Sequence, residues 1–187
     1  MNNIIDISNY SPDKDDKFFF DANIWMYLYC PLGGYGKDKP EKYSGFLKKA
    51  LEAKSSIFIS SLVLSEVFNA WIKLDYNILK DKDKSKYADF KKNYRNTGLY
   101  RNQTSIIKTV VTKHILNIAK RTDDKFKNIS LDELFKEIEA SDFNDNYYLA
   151  MANCENFKIV TNDSDFAFSR KRSIPILTAN YKMLKRV

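Results

Sequence analysis

Histidine is almost absent from this chain: one residue, His114, in 187. That excludes a metal-free nuclease that shuttles protons between two histidines. The two cysteines, Cys30 and Cys154, lie far apart in helix-like segments. They are too few for a disulfide framework, no spacing joins them to His114 as a thiol site, and they read as reduced core thiols of a cytoplasmic protein. Glycine occurs five times, and neither GxGxxG nor GxxxxGK[ST] is present. Dinucleotide-binding and P-loop readings therefore lack their phosphate cradle. No apolar run approaches the ~18 residues of a membrane span. The leader MNNIIDISNYSPDKDDK lacks the basic-then-apolar order of a signal peptide. Acidic residues are missing from Phe166 to Val187, where six basic ones stand: Arg170, Lys171, Arg172, Lys182, Lys185 and Arg186.

What is present belongs to one globular domain with a sizeable core: 44% hydrophobic and 14% aromatic residues, too apolar for disorder. The net charge of +7 is concentrated, with fifteen Lys/Arg against six Asp between Lys73 and Lys127. Such an excess suits a polyanionic partner, although a solvated lysine-rich surface would look the same.

Along the chain, residues 1–16 read as a polar extension or a loosely docked arm and 17–187 as a single domain. Lys17–Asp21 is a buried strand running into a buried helix, Ala22–Cys30. After the break PLGGYG, an amphipathic helix covers Glu41–Lys54 and a second buried strand covers Ser56–Ser60. Ser60 or Ser61 then caps a helix with Leu62, Val63, Glu66, Val67, Ala70, Trp71 and Leu74 at three- and four-residue intervals. Asn93–Asn102 carries a loop signal. Thr104–Arg121 returns to helix, with His114 on its apolar face as a core histidine. Ser130-Leu131-Asp132-Glu133 is a capping box for a helix to about Ala140, and Ser141 caps the helix that carries Asp145. Strands Lys158–Thr161 and Ile174–Thr178 close the pattern. Strands alternating with helices predict a parallel α/β sheet covered on both faces.

Four acids fall at meaningful points. Asp21 ends the first strand, Glu66 lies one turn inside the helix after the second, Asp145 opens the helix before Lys158–Thr161, and Asp163 follows that strand. Each has an ordinary alternative: Asp21 a helix cap, Asp142 and Asp145 favourable charges at a helix N-terminus, Asp163 and Asp165 turn residues. Glu66 is less ordinary, because it borders an apolar face where an unpaired charge is rarely buried. In a parallel sheet all four segments can converge at the carboxyl edge, where such sheets place their ligands. Carboxylates brought together repel unless a hard cation such as Mg²⁺ or Mn²⁺ neutralises them. Such a cation suits attack of water on a phosphodiester. Asp21-Ala22-Asn23 after a strand also suggests haloacid-dehalogenase-type phosphatases, but those need an aspartate where Asn23 stands.

FFFDANIW at Phe18–Trp25, SSLVLSEVFNAW at Ser60–Trp71 and DFNDNYYLAMANCENFKIVTNDSDF at Asp142–Phe166 resemble the PIN-domain nucleases, and in particular the toxin ribonucleases of toxin–antitoxin pairs. The resemblance implies a three-layer α/β/α fold with a central parallel sheet, here with a helical insertion around residues 75–128. It implies an Mg²⁺- or Mn²⁺-dependent endoribonuclease, with Asp21, Glu66, Asp145 and Asp163 as the catalytic, metal-binding set. Asp165 would be a further ligand, Asp142 the less certain of its pair, and Asn23 and Asn162 polar positions that assist. RNA as substrate, an antitoxin protein as partner and a homodimer are the corresponding expectations. Arg170, Lys171 and Arg172, just after the acidic loop, are the candidate backbone contacts.

Overall fold

A computed structural model of the chain describes residues 3–135, 142–167 and 174–185. Among them, six parallel strands form one sheet: β1 (Asn3–Asp6), β2 (Lys17–Phe20), β3 (Ser56–Ile59), β4 (Ala119–Arg121), β5 (Lys158–Val160) and β6 (Pro175–Thr178), in the order β1-β6-β5-β2-β3-β4. The helices are α1 (Ala22–Tyr29), α2 (Asp38–Glu52), α3 (Ser61–Lys82), α4 (Gly98–Val110), α5 (Leu116–Ile118), α6 (Leu131–Phe135), α7 (Phe143–Glu155) and α8 (Tyr181–Leu184).

The three phenylalanines of β2 show why the sheet has two covered faces. Phe18, Phe19 and Phe20 alternate in direction, as strand residues must, yet all are fully buried. Phe18 and Phe20 meet Phe46 of α2, with ring centroids 5.1 and 6.2 Å apart. Phe19 turns the other way, to Tyr148 of α7 at 5.3 Å and Phe157 at 5.9 Å. The layers are therefore α/β/α, as expected. β2 sits in the middle. The chain moves outward from it through β3 and β4, then returns to its other side with β5, so the topological switch lies beside the carboxyl end of β2.

Several expectations need correction. The leader is no loose arm, because Asn3–Asp6 pairs along β6, from Asn3↔Pro175 to Asp6↔Thr178, and Ile7 is fully buried behind it. Tyr10 then packs edge-on against Phe18 and donates its hydroxyl to Asp16. The insertion is mainly helical but ends in a strand, β4, paired to β3 through Ile57↔Ala119. His114 is exposed and stacks on Tyr29 with centroids 5.8 Å apart. A wide π-helical turn at Val111–Ile115 carries an extra residue per turn, so Val111 and Ile115 take the inward places and His114 rotates out. Thr97 closes the expected loop early by capping α4, its hydroxyl accepting from the Tyr100 amide. Cys30 is buried as a core thiol, whereas Cys154 is exposed near the end of α7. α7 is capped by Asp142, whose carboxylate accepts from the Asp145 amide at 2.9 Å. Ser141, and the extension of α6 towards Ala140, lie outside the described residues.

Candidate active site

Strand register builds the centre of the site. Phe20 pairs with Val160, so the residues that follow, Asp21 and Thr161, emerge side by side at the carboxyl edge. Asp21 caps α1, with Oδ1 accepting from the Ala22 amide at 2.6 Å. Its Oδ2 accepts from the Thr161 hydroxyl at 2.7 Å and from the Asn23 side-chain amide. One carboxylate thus caps the helix and stands beside Thr161 at the carboxyl edge. The Asn162 amide donates to Asn23 Oδ1 (3.2 Å), the Asp163 amide to Thr161 Oγ1 (3.0 Å) and the Asp165 amide to Asp163 Oδ1 (3.0 Å). The acidic loop is fastened from behind as well. Tyr43 Oη accepts from the Ala179 amide and lies 3.0 Å from Asn162 Oδ1, while Asn180 Nδ2 donates to Asn162 O at 2.7 Å.

Glu66 is half-buried in the second turn of α3 and is held by α7 from across the site. Asn144 Nδ2 donates to its Oε1 at 2.5 Å, and the Tyr148 hydroxyl donates to its Oε2 at 2.6 Å. Burial, and then the hydrogen bond to Glu66, drive the Tyr148 hydroxyl far above the usual phenol range. It stays protonated and donates to Glu66.

The acids feel one another strongly. Burial raises the Asp21 carboxyl to about 7, with the charges of Glu66 and Asp163 adding to the rise and the hydrogen bonds from Thr161 and the Ala22 amide opposing it. Asp145, 8% exposed, is raised to about 8 by burial and then by Asp142, Asp21, Asp163 and Asp165. All six predicted acids therefore share one electrostatic neighbourhood, with Asn23 and Asn162 inside it. No three of these side chains, nor any His or Cys with them, are gathered closely enough among the described residues to grip an ion as they stand. The donors nevertheless fit a hard divalent cation. They are all oxygen, they sit at a switch point, and two of them are pushed up by burial first and then by the neighbouring acids. Arg170, Lys171 and Arg172 lie outside the described residues.

Sequence reasoning missed Thr161, Asn144, Tyr148 and Tyr43. Asn144 and Tyr148, four apart in α7, share a helical face, and that spacing was readable. Thr161 and Tyr43 depend on which strands and helices become neighbours, and no local signal gives that.

Two clefts flank the acids and share Asn23 and Tyr27. One, about 670 Å³, runs past Asp163 to Lys39, Lys42, Tyr181 and Lys182. The other, about 360 Å³, lies between α1 and α3 and includes Glu66, Met26 and Leu74.

Fold and site together define a parallel α/β protein with an acidic, oxygen-donor centre at the switch point of its sheet. The chain belongs to the PIN domain family, whose family model matches residues 18–172. That match spans β2 to β5 and leaves the outer pair, β1 and β6, beyond its ends. The structure is similar to that of VapBC2 from Rickettsia felis bound to a DNA fragment from their promoter: 17% identity, 87% of this chain and 98% of that one, TM-score 0.52. It is also similar to PAE2754 from Pyrobaculum aerophilum: 15% identity, 96% and 94% covered, TM-score 0.48. At these identities the likeness is one of fold. No curated protein sequence matches the chain.

Proposed function

We propose that the protein is an Mg²⁺- or Mn²⁺-dependent endoribonuclease acting as the toxin of a toxin–antitoxin pair. The observation that carries this reading is the placing of two buried aspartates, Asp21 and Asp145, among further acids at the sheet's switch point, where burial and mutual charge push both carboxyls up. Membership of the PIN family supports a nuclease. Asp21, Glu66, Asp145 and Asp163 would hold the cation, with Asp165 and Asp142 at its margin. A divalent ion there supplies Lewis-acid stabilisation of phosphate charge and lowers the pKa of a water.

The chain's own groups do the orienting. Thr161 and Asn23 fix the Asp21 carboxylate, and Asn144 and Tyr148 fix Glu66. Hydrolysis puts the water oxygen on phosphorus and breaks the P–O3′ bond, leaving a 5′-phosphate and a 3′-hydroxyl. Arg170, Lys171 and Arg172 follow the acidic loop in sequence and would position the RNA backbone. The likeness to VapBC2 supports an antitoxin as partner, and a homodimer is the working state proposed with it.

The test is cleavage of RNA by purified protein with Mg²⁺ or Mn²⁺, compared with Asp21→Asn and Asp163→Asn. Both variants should lose at least about 100-fold in rate, as expected when a group that stabilises transition-state charge is removed. Equal cleavage by the variants, or none by the wild type, sinks the nuclease reading. Growth arrest on expression, relieved by a small partner protein, tests the toxin role. A module that binds nucleic acid without cutting it is the second reading. Lys39, Lys42 and Lys182, which line the cleft beside Asp163, suit such binding. Nucleic-acid binding with no divalent-ion binding by calorimetry would select it. Single-stranded RNA, single-stranded DNA and flap substrates side by side separate an RNA-directed enzyme from a DNA-directed one.

A further inference from the structure

The larger cleft carries chemistry that the acids do not explain. It begins at Asn162 and Asp163 and runs between the first turns of α2 and the start of α8, lined there by Lys39, Lys42, Tyr181 and Lys182. Tyr181 is 64% exposed, unusual for a ring of its size, and Lys185 Nζ lies 4.4 Å from its centroid. Lys39 projects over Tyr27 at 5.5 Å. Lys42 pairs with Asp38, at 3.1 Å on the exposed face of α2, a contact weak enough to yield to a phosphate. Three ammonium groups, set against the carboxylate of Asp38, and the largely exposed Tyr181 ring thus line a cleft of about 670 Å³ that includes Asp163.

We propose that this cleft binds the flank of a single-stranded polynucleotide, with one unstacked base on Tyr181 and successive phosphates on Lys39, Lys42 and Lys182. A stacking ring beside lysine point charges is how proteins follow a single strand without reading its sequence. A duplex keeps its ring faces inside the helix and has none to offer Tyr181. The cleft's volume is in the range of a small-molecule pocket, enough for a splayed nucleotide. The proposal rests on the nuclease reading only for what lies at the acidic end, and its test measures binding with cleavage switched off.

Anisotropy of fluorescein-labelled strands about ten nucleotides long, matching the usual site sizes of single-strand binders, is read in EDTA. RNA, DNA and a duplex of the same sequence are compared. Tyr181→Ala should weaken single-strand binding about 10-fold and Tyr181→Phe by less than about 2-fold, because phenylalanine keeps the stacking face. The triple variant Lys39→Gln/Lys42→Gln/Lys182→Gln should weaken it further and reduce the salt slope by about 2, at roughly 0.7 per phosphate contact. A control triple on exposed lysines elsewhere, Lys82→Gln/Lys84→Gln/Lys91→Gln, should leave most of the slope in place. A preference for RNA or for DNA identifies the strand and supports the site in either case. Duplex binding as tight as single-strand binding, equal losses in the control triple, or no binding by the wild type overturns the proposal. Melting curves establish that the variants fold. An enzyme that cleaves but fails this test keeps its activity and loses only this cleft.

Discussion

Two aspartates at opposite ends of the four-residue strand β2 meet opposite fates. Asp16, 3% exposed, accepts from the Tyr10 hydroxyl and the Asp13 amide and pairs with Lys158. Burial alone would push its carboxyl up, but the bonds from Lys158, Asp13 and Tyr10 outweigh it and hold the group below the usual range. Its stabilisation is present above the unfolded value of ~3.9 and is lost as pH falls. Asp21 is as deeply buried but faces Glu66 and Asp163, and its carboxyl is raised to about 7. Its contribution is fully present below the unfolded value, ~3.9, and drains away as pH rises through about 7; Asp145, at about 8, behaves alike. Asp21→Asn removes the ionisation yet keeps a residue that caps a helix well. In EDTA near pH 8.5 the variant should therefore melt higher than the wild type, by on the order of 5 °C, with the gap closing near pH 5. A variant that melts lower at both pH values would show that the carboxylate is not under electrostatic strain.

At the scale of elements, the outermost strand is the one most open to challenge. β1 pairs with β6 and brings Ile7, 1% exposed, against the core. Removing residues 1–8 should cost roughly 3 kcal/mol, from the buried isoleucine side chains and the lost ladder. It should also uncover the edge of β6 for self-association. Urea unfolding and light scattering measure both effects, and unchanged values would return the leader to the status of a loose arm. The site lies at β2, β3 and β5, so cleavage per folded molecule should survive. β1 was illegible in sequence for the same reason as β4. Both are edge strands of four and three residues, specified less by their own pattern than by the partner strand that awaits them. β2 and β3 were legible because an abrupt apolar run ends in a capping residue, Asp21 or Ser60. The positions of the acids followed from those ends. How they are held did not, since the bond from Thr161 to Asp21 joins residues 140 apart and exists only because β5 returns to the side of β2. His114 was misplaced because a 3.6-residue projection cannot anticipate a π-helical turn.

At the scale of the whole molecule, the net charge and the charge of the site have opposite signs. The chain carries a net +7, which draws in a polyanion, while the carboxyl edge of its sheet gathers acids that would repel the phosphate they are proposed to act on. A divalent cation resolves that conflict only if it displaces protons from Asp21 and Asp145, so cation binding and pH must be linked. At about 100 times its Kd, a cation that binds only the folded state adds about 2.7 kcal/mol, or roughly 5–10 °C for a chain of this length. Added Mn²⁺ should therefore raise the melting temperature by about that much near pH 8.5 and by clearly less near pH 6, where protons occupy the two raised carboxyls. Asp163→Asn, which takes an exposed donor from the set, should shrink the rise at both values. A rise that ignores pH, or that survives intact in Asp163→Asn, would place the cation elsewhere on the protein. The acids at the sheet edge would then be a source of strain with no ion to relieve it.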